Sequence, residues 1–187
     1  MRNKREFLLA AIEDSQGTIR AVDVKVSVLL VGLLAPFSNL GRIFSHISHI
    51  DSAVSHVAAY LIAFVFFSLW GMALLSLVMS ISAIDNPAKH IASSSKFTGS
   101  FYGGGLYRFS FIDSLFNRDI IKAEKDSGSF YDLLPDSERE IENELMFEHM
   151  KIIYIREIKL HRLKYAYRFS IAWFLVGLTA YLLSKAT

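Results

Sequence analysis

The sequence predicts a mainly α-helical integral membrane protein with three transmembrane helices, a helical cytoplasmic stalk and a small insert expected to hold a β-hairpin. Three observations lead there. Hydrophobic residues make up 52% of the 187 and the mean hydropathy is +0.34, both above what a small soluble domain needs. Uncharged apolar runs occupy 26–40, 57–84 and 169–183, and a hydrocarbon core about 30 Å thick asks for about 20 mainly apolar residues, interfacial flanks included. Lys and Arg gather in the N-terminal segment and between Lys89 and Arg168 but avoid 43–86, a bias that puts the N-terminus and the insert on the cytoplasmic side.

Residues 1–23 begin with Arg2, Lys4 and Arg5 and then place Phe7, Leu8, Ile12, Ile19 and Val22 at partly helical spacing, so a cytoplasmic N-terminal helix is expected. A cleaved signal peptide is not, because the apolar stretch that would form its core lies too far in and lacks a small-residue cleavage site. Arg20, Asp23 and Lys25 stand at the mouth of the first span, 24–44, in which Pro36 predicts a kink and Arg42 snorkels to the far interface. An extracytoplasmic loop, 45–56, carries His46, His49 and Asp51 but no Lys or Arg. His46, His49 and the nearby His56 suggest zinc, yet neither a full ligand set nor its supporting shell is visible in the sequence, and no metal is assigned. The second span, 57–84, has Trp70 near its middle and is ended by Asp85, Asn86 and Pro87.

The cytoplasmic insert, 85–136, contains the strand pattern. Phe97, Phe101 and Tyr102 precede three glycines, Gly103 to Gly105, and Tyr107, Phe109 and Phe111 alternate after them, which fits a hairpin. Without a following Lys and helix the glycines are no phosphate loop. A short helix is expected over 113–125 and a loop over 126–132. The stalk helix, 137–164, is announced by Ser137 and Glu140 at capping-box spacing and by acids at its start. Ile141, Leu145, Ile152, Ile155, Leu163 and Ala166 form one apolar stripe, which Glu148 and Lys159 interrupt. No Pro or turn cluster separates the stalk from the third span, 165–184, so one helix should run through both. Exposed amphipathic helices of this kind find partners, and a homo-oligomer is expected.

No zinc-protease motif, nucleophile elbow or phosphate loop is present, and there are no cysteines, so neither an enzyme nor a cofactor is expected. What remains is a set of charges near the inner membrane surface: Arg20, Asp23 and Lys25 from the first helix, and Arg156, Lys159, Arg162, Lys164 and Arg168 from the last. A belt binding anionic headgroups accounts for the bases. It does not account for Asp23 and Glu148, which are expected in structural ion pairs, Asp23 with Arg156 or Lys159.

The run Arg20-Ala-Val-Asp23-Val-Lys25, the aromatic Phe101-Tyr102-Gly103, and Glu148 followed by Ile155, Lys159, Leu163 and Ala166 resemble the membrane effectors of the Pycsar antiphage systems, over roughly 7–183. The resemblance implies a bacterial inner (plasma) membrane protein that responds to cyclic CMP or cyclic UMP from a partner cyclase and compromises the bilayer, arresting growth of the infected cell. The chain shows no separate cyclic-nucleotide-binding β-roll, which would put the ligand site in the insert and stalk. A cyclic nucleotide offers one phosphate charge and a flat base; Arg20, Lys25, Arg156 and Lys159 are the candidates to pair the first, Tyr102 and Tyr107 to stack on the second. No nucleic acid polymer is expected as partner. Two alternatives stand beside this: a structural or regulatory membrane protein whose stalk binds a protein, and a small ion channel with Ser68, Ser76, Ser80 and Ser82 as its polar pore positions.

Overall fold

The computed structural model describes residues 2–82, 84, 87–92, 99, 101, 106 and 123–185, with 2–3 and 47–53 described by backbone alone. It is mainly helical, and no sheet occurs among the described residues. The helices are α1, Arg2–Leu34, α2, Leu40–Ala53, α3, His56–Ile81, α4, Ser127–Tyr131, and α5, Glu138–Lys185; a 3-10 turn, Ala35–Asn39, lies between α1 and α2 and another spans Pro87–His90. Three helical stretches are long and apolar enough to cross a membrane: Lys4–His46, His56–Ile81 and Glu138–Lys185. The chain divides into two units, one of Met1–Gln16 with Asp85–Ile155 and the other of Gly17–Ile84 with Arg156–Thr187.

In the second unit, α1, α3 and α5 contribute Val22, Val26 and Leu33, Trp70, Ala73 and Leu77, and Leu163 and Ala166 to one core. Along each helix these positions step by three, four or seven residues, the spacing that keeps a seam facing its neighbours when helices coil left-handedly. The helix break at Pro36 belongs to this core. Proline has no N–H, and the tighter 3-10 turn draws its bonds from three residues back, so carbonyls at the end of α1 lose their usual partners. The Trp70 indole N–H donates to one of them, the Leu33 carbonyl, at 2.8 Å, while the Phe37 ring lies 4.5 Å from the Trp70 ring.

The structure departs from the sequence reading at several boundaries. Where a kinked span 24–44 and a loop 45–56 are expected, α1 ends at Leu34 and α2 continues to Ala53, leaving Val54 and Ser55 as the connection. The sequence of α2 explains this: it has no Pro, and Ile43, Ile47 and Ile50 repeat at helical spacing. Ser55 then caps α3, its hydroxyl accepting from the Ala58 N–H at 3.4 Å. The helix of the expected second span, α3, stops at Ile81, where both the N–H and the hydroxyl of Ser82 turn back onto the Val78 carbonyl. Residues 126–132, expected as a loop, contain α4, because Asp126 acts as its cap and accepts the Ser129 N–H at 2.7 Å; hydrogen bonding by the Ser129 side chain, and then by this N–H, holds the Asp126 carboxyl below its ordinary value. The expected hairpin at 97–111 and the body of the expected helix at 113–125 lie outside the described residues; at the latter's end, 123–125 are not helical, and the Glu124 N–H bonds the Leu106 carbonyl at 2.8 Å.

The start of α5 follows the capping-box pattern. The Glu140 N–H donates to the Ser137 hydroxyl at 3.2 Å, and the Glu140 carboxylate accepts from the backbone N–H groups of Ser137 and Asp136 at 3.3 and 3.0 Å. At 48 residues and 1.5 Å per residue, α5 is about 72 Å long, more than twice the hydrocarbon thickness.

Candidate functional site

Two charged clusters stand out, one in each unit. In the second unit Lys159 of α5 pairs with Asp23 of α1. The local fold places both. Lys159 lies seven residues from Ile152 and from Ala166, two buried positions, so its aliphatic stem lies along the packed face; its side chain is 12% exposed. Asp23 sits between the core residues Val22 and Val26, on the flank of that seam, and remains 43% exposed. An ammonium buried to this degree costs several kcal/mol without a partner, which the carboxylate supplies.

The same unit holds a second cross-helix contact, absent from the sequence reading. Arg162 donates to the Met79 carbonyl, one of the last carbonyls of α3, which the helix itself leaves unbonded and which carry the negative end of its dipole. Ser80, next along α3, is fully buried, and its hydroxyl has no hydrogen-bond partner among the described residues. Asp23, Lys159, Arg162 and Ser80 are thus polar groups of α1, α3 and α5 set within or beside an apolar core.

Of the other ligand candidates, Arg156, Arg20 and Lys25 lie among the described residues. Arg156 bonds the neighbouring Glu157 at 2.8 and 3.1 Å. Arg20 and Lys25 are exposed, and five residues of helix turn their side chains roughly 140° apart. Tyr102 and Tyr107 lie outside the described residues.

In the first unit Glu148 is 1% exposed and pairs with Lys151, one turn further along α5. Lys151 also lies over the Phe147 ring, 4.7 Å from its centre. Burial pushes the Glu148 carboxyl above its ordinary value; the hydrogen bond and charge of Lys151 oppose that, and Glu144 adds to it. Glu144, also buried, accepts the Gly99 N–H at 3.3 Å. Gly99 has φ +66°, a left-handed conformation that a side chain would strain. Lys151 was legible in principle from its spacing to Glu148; nothing in the sequence marked Glu144 apart from the other acids around it.

Among the described residues no three His, Cys, Asp or Glu groups gather as a metal site. The His46 ring instead meets the Tyr181 ring edge-on at 5.8 Å, at one end of an apolar crevice of about 170 Å³ whose walls include Ile43, Ile62, Phe66 and Gly177. A second hollow of about 160 Å³ shares Phe66, Gly177 and Tyr181 and continues to Trp173. Compared with known proteins, the chain matches no family model, no curated protein and no solved structure.

Proposed function

We propose that this chain is an inner-membrane effector of Pycsar-type antiphage defence, in which a cyclic pyrimidine nucleotide, cyclic CMP or cyclic UMP, opens or loosens the packed spans and arrests growth of the infected cell. Its support is the sequence resemblance, the three long apolar helices and, above all, the Asp23–Lys159 pair. A carboxylate and a phosphodiester are both monoanions that accept charge-assisted hydrogen bonds, so a nucleotide phosphate can displace Asp23 from Lys159. The displaced carboxylate then lacks its counter-ion beside an apolar seam, which favours an alternative packing of α1 against α5. Assembly as a homo-oligomer would multiply that change across several copies.

The same pair also supports a second reading. If Lys159 serves only to neutralise Asp23, the chain is a structural or regulatory membrane protein with no small ligand. Calorimetry on detergent-solubilised protein with a panel of cyclic nucleotides separates the two: the effector reading expects cyclic CMP or cyclic UMP to bind and Lys159→Ala to weaken binding by about one to two decades. Absence of heat with every nucleotide, together with depolarisation of cells that express the chain without any cyclase, would discard the effector reading in favour of a channel. Silence in both assays leaves the structural reading standing.

A further inference from the structure

The crevice beside Gly177 is built unlike the rest of the apolar surface. A Cβ at Gly177 would lie 3.0 Å from the Phe66 ring, so any side chain there would push the ring a few tenths of an ångström away from the backbone of α5. The two hollows adjoin at Gly177, Phe66 and Tyr181. The second of them runs from Trp173 to Tyr181, eight residues apart on α5, or about 12 Å along the helix.

The walls are almost wholly apolar. The polar groups are the His46 imidazole and the Tyr181 phenol, which meet edge-on, and the Trp173 indole N–H, whose ring lies 5.5 Å from that of Phe66. A slot with apolar walls and so few polar groups suits a mainly apolar molecule; a small polar solute would leave most of its own hydrogen bonds unmade there. An apolar cavity of about 150 Å³ accommodates a six-carbon benzene ring, so hollows of about 170 and 160 Å³ hold a segment of an acyl chain and leave the rest outside. Phe174 and Leu178, which line the second hollow, are large apolar residues 62% and 44% exposed, on the uncharged stretch of α5.

We infer that this crevice binds one acyl chain of a bilayer lipid, with its polar end toward His46 and Tyr181. The inference rests on the membrane-spanning reading of the helices and not on the nucleotide. Glycine at 177 keeps the floor open, and α2, α3 and α5 each supply a wall, so a resident chain would act as a packing element shared by the three helices.

The test uses the full chain in vesicles of phosphatidylethanolamine and phosphatidylglycerol that contain a phospholipid with a photoreactive diazirine midway along one acyl chain. After irradiation, labelled residues are mapped by mass spectrometry. Label should concentrate on Phe66 and Trp173, and Ala180→Leu, which fills the first hollow without approaching Phe66 through Gly177, should reduce the label on Phe66 about tenfold, because the new side chain takes the space of the lipid chain. Ile62→Trp, filling the same slot from α3, should act alike, and Leu175→Ala outside it should change nothing. Equal labelling of Phe66 and of the exposed Phe64 and Leu182, or Ala180→Leu labelled as wild type, would overturn the crevice as a site. Release of the chain from membranes by alkaline carbonate would instead remove the membrane reading beneath it.

Discussion

The Trp70 indole N–H bonds the Leu33 carbonyl across 37 residues of sequence, and by doing so ties the middle of α3 to the point where α1 stops being an α-helix. Neither residue needs the other for its own helix; the contact exists because Pro36 interrupts the backbone ladder nearby. In a hydrocarbon environment an unbonded carbonyl is costly, and a neighbouring helix is one of the few sources of a donor.

Trp70→Phe should therefore destabilise the second unit by about 1–3 kcal/mol, the range for leaving a buried backbone acceptor unpaired, over and above the smaller ring. Thermal unfolding in detergent followed by circular dichroism measures it. Trp173→Phe serves as the comparison, since its indole N–H has no partner among the described residues and its loss should cost less. If Trp173→Phe proves the more damaging, the carbonyl at the break is satisfied by something else.

Asp23 and Lys159 make a second testable pair. Removing one member of a fully buried ion pair costs about 3–5 kcal/mol; because Asp23 is 43% exposed, solvent screening reduces the expected loss for Asp23→Ala to about 1–2 kcal/mol. Replacing both, Asp23→Ala with Lys159→Met, should recover most of that loss, since no charge then remains without a counter-ion. A double variant as unstable as the sum of its single changes would mean that the two residues are energetically independent.

Glu148 gives a pH dependence whose sign is fixed. Its folded carboxyl titrates above the ordinary value of 4.5, so as pH rises past that point the unfolded chain releases a proton that the folded chain retains. Stability should fall with rising pH from 4.5 up to the raised folded value and then level off. Glu148→Gln, which keeps an acceptor for Lys151, should flatten that slope, whereas Glu138→Gln on the exposed first turn should leave it in place. Parallel melting-temperature profiles for wild type and Glu148→Gln across this interval would refute the assignment.

The long helix α5 was legible in the sequence because its signals are local: Ser137 and Glu140 mark the start, and no Pro or turn cluster interrupts the chain from there to the third apolar run. The reach of α2 to Ala53 was hidden by polar composition, since His46, His49 and Asp51 read as loop although their spacing permits a helix. α4 was missed for a similar reason. Asp126 and Ser129 form a cap, but the five residues of α4 show no periodicity. Of the candidate site, Asp23 and Lys159 could be singled out as charges on apolar faces, and Lys159 is one of the two partners offered for Asp23. Arg162 could not be separated from Arg156, Lys164 and Arg168, because a partner such as the Met79 carbonyl is a backbone atom that every residue possesses.

That carbonyl also sets an order of events during synthesis. Arg162 follows Met79 by 83 residues, and at about 5–20 residues per second the ribosome needs roughly 4 to 17 s to cover that distance. For that interval α3 exists as an apolar helix whose carbonyl end lacks its cationic cap, and any other donor present, from water, headgroup or insertion machinery, can occupy it. The last helix therefore arrives as the piece that finishes an earlier one, so a chain truncated before Arg162 should hold α3 with a frayed final turn however well its apolar residues insert.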